Sequence, residues 1–245
     1  MDAVRVTDDK RLRIITIDRP ERRNAINSAA ARAIQTALLD FDRSALRVAV
    51  ITSIGNDAFS AGADVDDIPE LWRCIPNVGV PTEKPVIAAV AGWAVGGGMI
   101  LPMMCDLIVA AENAKFVYPE AKLGLTQGMI AGLAARIPLK IAMECMLMAR
   151  PLDARRAYEV GFVNEVVPVG QHLTRAVEMA HEMAAMAPMV LAALKRFVMN
   201  EIVPQGPTEQ FGKMRRQIED ISLSEDMKEG FAAFREKRSP YFTGN

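Results

Sequence analysis

Three consecutive glycines interrupt an apolar stretch at Ala94-Val95-Gly96-Gly97-Gly98-Met99-Ile100. Glycine has no Cβ, so such a run marks a place where the backbone turns sharply or another group comes close. If a helix starts there, its unpaired N–H groups and the positive end of its dipole can hold an oxyanion. A second small-residue segment, Phe59-Ser60-Ala61-Gly62-Ala63-Asp64, offers N–H groups from another element. Two such donors aimed at one carbonyl oxygen stabilise the charge that develops when the neighbouring carbon loses a proton. A pair of tight structural turns accounts for the same glycines, and nothing in their spacing brings the two segments together. Neither is a nucleotide fingerprint: G-x-G-x-x-G in a first strand–helix turn and GxxxxGK[ST] are both absent.

Outward from this run the chain alternates strands, glycine-rich turns and helices. Leu12–Ile17, Val48–Thr52, Pro85–Val90 and Leu107–Ala110 read as strands, with a shorter extended piece at Phe116–Tyr118. Asn27 or Ser28 caps a helix running through Asp42, with Ile34, Leu38 and Phe41 on its apolar face. This alternation over residues 1–125 predicts an α/β fold rather than a bundle. The later half is more helical: Leu139–Ala149, Asp153–Glu159, Leu173–Met186 and a stretch after Pro188, with Phe162–Val167 strand-like between them. Ser224 caps a last helix with Lys237 and Arg238 in its final turn, and Pro240 closes it.

Composition narrows the function. The chain has 245 residues, 51% of them hydrophobic, and a formal net charge of -1, so it is neither disordered nor a basic polyanion binder. Nucleic-acid binding is therefore excluded as its main task. Cys74, Cys105 and Cys145 have no metal-site spacing, and an odd number cannot pair completely. With no signal-like amino terminus, a reducing cytoplasmic setting is expected. The most apolar runs are too short or interrupted for membrane spans. His172 and His181 lack the H-E-x-x-H pattern and fall in a helical region expected to be exposed; no metal site is expected. No G-x-S-x-G nucleophile signature is present. Asp106 reads as a structural hydrogen-bonding residue, Asp64 and Asp67 as helix-capping or solvent-facing, and Trp72 and Trp93 as packing residues.

An ordered set of segments resembles the enoyl-CoA hydratase/isomerase, or crotonase, family. It comprises Asp18-Arg19-Pro20-Glu21-Arg22-Arg23-Asn24-Ala25-Ile26-Asn27, the Phe59–Asp64 segment, Lys84–Gly92, the triple glycine, Cys105-Asp106 and Pro119-Glu120. Ala154–Val167 and the carboxy-terminal Ser224–Arg238 continue it over nearly the whole chain. The resemblance implies a crotonase-like spiral of ββα units over residues 1–186 and a helical oligomerisation region over 187–245. It further implies an acyl-CoA substrate, no redox or metal cofactor beyond coenzyme A as thioester carrier, and a homotrimer or dimer of trimers. By position, the thioester oxygen falls to the N–H groups of Ala63 and Gly97. Arg23, Asn24, Ala25, Ala61, Asp64 and Val65 lie along the CoA path, and Phe242 approaches the CoA of a neighbouring subunit.

The departures matter as much. Family hydratases carry one glutamate two positions after the triple glycine and another in the Pro-Glu segment; here these positions are Ile100 and Glu120. Hydration needs a placed water and proton delivery to carbon, tasks that a carboxylate pair divides and that Ile100 cannot share. One carboxylate suffices to take a proton from an enolisable thioester and return it elsewhere, so double-bond isomerisation through Glu120 is expected. Hydration with atypical water activation is the alternative, and a non-catalytic CoA-thioester-binding or assembly protein is another. Met129 and Ile130 add bulk where the family has glycine, Thr126 and Gln127 add polar groups, and Pro102 restricts the geometry of the presumed helix after Ile100.

Overall fold

The computed structural model describes residues 3–124, 126, 128–203 and 206–245. Among these, ten strands form two sheets. The strands are β1 (Val4–Asp9), β2 (Leu12–Ile17), β3 (Val48–Ser53), β4 (Ala58–Ser60), β5 (Val86–Val90), β6 (Trp93–Val95), β7 (Leu107–Ala111), β8 (Lys115–Val117), β9 (Leu152–Asp153) and β10 (Glu165–Val167). The larger sheet has the order β1-β2-β3-β5-β7-β10, and the smaller β4-β6-β8-β9. Only the edge pairs β1–β2 and β8–β9 are antiparallel. Successive strands therefore alternate between the sheets: β3 to β4, β5 to β6, β7 to β8. Helix α1 (Ser28–Arg43) lies between β2 and β3, α2 (Gly97–Met103) follows β6, and α3 (Glu120–Leu123) follows β8. This is the expected spiral of ββα turns.

Strands β2, β3, β5 and β7 match their reading to within a residue or two, and β3, β5 and β7 do so as largely apolar runs buried on both faces. The smaller sheet is the correction. Its strands of two or three residues are too short to show a period of two, so Ala58–Ser60 and Trp93–Val95 read as turns. Backbone closeness reveals them instead: a Cβ on Gly92 would stand 2.1 Å from the Asp57 carbonyl oxygen.

Helix α1 buries Ile34, Leu38 and Phe41 as its pattern predicts, and the Asn27 side chain accepts from the Ala30 N–H. Then come α4 (Leu139–Met148), α5 (Ala154–Glu159) and α6 (His172–Ala184). Ala176, Ala180 and Ala184 of α6 pack on Val48, Val50 and Ile87 of the larger sheet. His172 is buried rather than exposed, and burial lowers its pKa. The chain ends in α7 (Pro188–Phe197), α8 (Pro207–Leu223) and α9 (Glu225–Glu236). Lys237 and Arg238 fall just beyond α9 rather than in its last turn: Lys237 turns left-handed at φ 55, and Arg238 folds back onto Glu229.

Candidate active site

Two of the segments singled out by sequence pair with each other. The Ala61 N–H donates to the Arg23 carbonyl, the Ile26 N–H to the Gly62 carbonyl and the Asp64 N–H to the Ile26 carbonyl, at 2.7–3.0 Å. Arg19 clamps this junction through Ala25 O at 2.6 Å and the Asp64 carboxylate at 2.8 Å. That hydrogen bond holds the Asp64 carboxyl below the usual carboxylate range. Asn24 is 2% exposed; its amide donates to the carbonyls of Ile54 and Ala58 and accepts from the Arg19 N–H. The side chains of Asn24 and Asp64 therefore fix the loop, whereas that of Arg23 is exposed. Asp67 bonds Ser28 at the start of α1. Sequence reasoning does not single out Arg19; its clamp is visible only once residues 19 and 64 are side by side.

The glycines bring in the third segment. Gly62 has φ +93, and a Cβ there would lie 2.7 Å from the Val95 carbonyl oxygen and 3.6 Å from the Gly97 nitrogen. A Cβ on Gly98 would stand 2.5 Å from the Ser60 carbonyl oxygen. Ala63 and Gly97 thus belong to abutting segments, and neither N–H has an acceptor among the described residues. The Leu71 isopropyl group lies on Gly97, where a Cβ would meet its Cδ2 at 2.2 Å. Ile100 is 3% exposed and belongs to the main core with Met99, Leu101 and Met103. Pro102 is accommodated inside α2.

Glu120 opens α3 and points back at the glycine run: its Oε1 would lie 2.6 Å from a Cβ on Gly96, whose φ is +53. Its Oε2 is buried and has no hydrogen-bond partner among the described residues. Burial pushes the Glu120 carboxyl up to about 7, against the smaller opposing effect of its own backbone hydrogen bond. Beside it, the buried Tyr118 hydroxyl shares a 2.9 Å hydrogen bond with Thr126. Met129 and Ile130 are buried in the core, while Gln127 lies outside the described residues.

A groove of about 830 Å³ runs past this junction, lined by Arg23, Asn24, Ala61 and Val95 among others. Val65 is 83% exposed on the loop that follows. Phe242 stays with the carboxy-terminal helices, over Gly230 and beside Phe231 and Phe234. Asp106 accepts from the Val86 N–H and pairs with Lys195 at 2.8 Å, a structural role. Among the described residues no group of three or more His, Cys, Asp or Glu is placed to hold a metal ion.

The sequence and the ββα spiral have counterparts among known proteins. The enoyl-CoA hydratase/isomerase family profile matches residues 8–245. The chain belongs to this family. A probable enoyl-CoA hydratase of Mycobacterium bovis is 36% identical over 99% of this chain and 98% of its own length. A carnitinyl-CoA dehydratase of Salmonella typhi is 37% identical over 94% of each. The crystal structure of a probable enoyl-CoA hydratase/isomerase from Mycobacterium abscessus superposes with a TM-score of 0.77 at 39% identity, covering both chains fully. As a member of this family the chain is an enzyme acting on acyl-CoA thioesters.

Proposed function

We propose that this family member moves the double bond of an enoyl-CoA by proton transfer through one glutamate. Ionised Glu120 takes a proton from the α-carbon, and the electron pair moves onto the thioester oxygen. The Ala63 and Gly97 N–H groups stabilise the resulting enolate. Glu120, now a carboxylic acid, returns the proton at the γ-carbon, which leaves the double bond conjugated with the carbonyl.

The observation carrying this reading is the state of Glu120. A carboxyl with a pKa of about 7 is matched to giving and taking a proton near neutral pH. Its buried Oε2 has no hydrogen-bond partner among the described residues, so no protein donor occupies its lone pairs. Ile100 supplies no second acid, which counts against ordinary two-carboxylate hydration.

The test is a panel of saturated, β,γ-unsaturated and α,β-unsaturated acyl-CoAs with native protein and Glu120→Gln. Isomerisation of the β,γ-unsaturated thioester, lost in the variant, is expected. Native protein that binds these thioesters without turnover or α-proton exchange would sink the proposal. Hydration, with Glu120 acting on a water held by other groups, is the second reading; the similar proteins named as hydratases and dehydratases favour it. Solvent oxygen incorporated at the β-carbon would establish it over isomerisation.

We also propose residues 1–186 as the catalytic unit and 187–245 as the assembly region of a homotrimer or dimer of trimers. Exposed Met189, Leu194, Phe197, Ile202, Phe231 and Phe234 support this, since so much apolar surface is normally covered. Sedimentation equilibrium gives the stoichiometry directly. Three free cysteines support a cytoplasmic setting; no single described helix is long and apolar enough to cross a membrane.

A further inference from the structure

Glu120 stands at the head of a stretch with little to hold it. Helix α3 is a single turn with no buried residue, and the described residues of 121–128 are exposed. One helical turn does not persist on its own, because nucleation costs more than its few hydrogen bonds return. A Cβ on Gly124 or Gly128 would meet nothing within 4 Å among the described residues, so neither bend leans on the body of the protein. Most hydrogen bonds of the described stretch are local. The Lys122 N–H donates to Pro119 O at 2.8 Å, the Gly124 N–H to Glu120 O, and the Gly128 N–H to the Thr126 hydroxyl at 3.0 Å. Even so, Oε2 of Glu120 is buried and Oε1 lies against Gly96.

A hydrogen bond across the loop accounts for this. Tyr118 is fixed just beyond β8, where the Val117 carbonyl accepts from the Gly96 N–H at 2.8 Å. It is 5% exposed, and its hydroxyl shares a 2.9 Å hydrogen bond with the Thr126 hydroxyl. Phenylalanine would fill the same space with no polar group to satisfy. A buried tyrosine needs a partner, and here the partner sits on the far side of α3. Three residues further on the chain is back in the core at Met129, whose carbonyl accepts from the buried Thr208 hydroxyl at 2.6 Å. Tyr118 also senses Glu120: burial holds the phenol above its usual range, its bond to Thr126 opposes this, and the Glu120 charge adds to the rise. Released at Thr126, the turn that carries Glu120 would be tethered only at its two ends, and water would reach the carboxyl.

We propose that Tyr118 and Thr126 are positioning residues for Glu120: their hydroxyl pair closes the exposed stretch and holds the carboxyl against Gly96, away from water. Its bearing on the reaction rests on Glu120 being the proton-transferring group of the proposed function.

The experiment labels glutamate side-chain carboxyls of the full-length protein with carbon-13 and follows them by NMR across pH, with Glu120→Gln identifying the signal. Kinetics on a β,γ-unsaturated acyl-CoA run alongside. Tyr118→Phe and Thr126→Val should each bring the Glu120 midpoint down from about 7 towards the ordinary 4.5, as water returns to the carboxyl. Each should lower kcat about 3- to 10-fold, the weight of one net hydrogen bond, and leave KM unchanged. The double variant should be no worse than either single one, because all three remove the same interaction. Thr126→Ser keeps the hydroxyl and should titrate and turn over as the native protein does. An unmoved Glu120 midpoint in Tyr118→Phe would overturn the proposal. So would additive losses in the double variant, or a loss confined to Tyr118→Phe. The NMR signal reports on Glu120 without turnover, so the two readings fail separately. A lowered midpoint together with full activity in Glu120→Gln would support the clamp and defeat single-glutamate proton transfer.

Discussion

Replacing Glu120 by Gln should make the protein more stable while making it inactive. The carboxyl is raised from an ordinary 4.5 to about 7, chiefly by burial. Below pH 4.5 it is protonated in both folded and unfolded chains and carries no penalty. Between 4.5 and 7 the unfolded chain ionises while the folded chain holds its proton, so this group's contribution falls as pH rises; above about 7 the loss is complete. A displacement of this size corresponds to roughly 3 kcal/mol. The side chain is only partly buried, and solvent screening reduces that to about 2 kcal/mol. Glu120→Gln is nearly isosteric and has no charge to desolvate. At pH 8 it should therefore gain about 2 kcal/mol, which for a chain of this length raises Tm by about 4–8 °C. At pH 4 the two proteins should match within about 0.5 kcal/mol. Urea unfolding of both from pH 4 to 8, at one protein concentration because assembly adds to apparent stability, measures the difference. A gap that does not change with pH would refute the reasoning, since it would mean that packing rather than ionisation separates them. Over the same series kcat should fall about 10²- to 10⁴-fold.

Three further outcomes follow from the geometry. In the native protein kcat/KM for proton abstraction should rise with pH through about 7 and then level, because Glu120 must be ionised; a profile flat between pH 6 and 8 would remove Glu120 as the base. Ile100→Glu places a carboxylate at a 3%-exposed core position and should cost about 3 kcal/mol or more in urea unfolding at pH 8. A fully stable variant would show that position 100 opens to solvent. Asn24→Ala removes three hydrogen bonds and should destabilise by about 2–4 kcal/mol, whereas Arg23→Ala should leave stability within about 0.5 kcal/mol. Equal losses in the two would contradict their different burial.

Legibility in the sequence followed the range of the interactions. Strands such as Val48–Ser53 and the face of α1 were readable because burial imposes a local pattern on them. In the smaller sheet only β8 was readable; β4, β6 and β9 were not, since strands of two or three residues hold their place through neighbours remote in sequence. Trp93 shows the consequence: as an isolated aromatic it reads as core, and only its pairing between Ala58 and Lys115 turns it outward. His172 errs in the opposite direction, at the start of a helix whose surroundings the sequence does not display.

The triple glycine, the loop segment Asp18–Asn27 and Pro119-Glu120 sufficed, as an ordered set, to identify the family and the absence of an acid at Ile100. Their identities are local facts, and side chains that are missing altogether cannot be restored by folding. Tertiary structure alone decided what the remaining acid became. Glu120 is an ordinary carboxylate in the sequence; it acquires a pKa of about 7 because folding sets it against Gly96 and strips it of water. Desolvation depends on everything that surrounds a group, and those surroundings come from segments that are not adjacent in the chain.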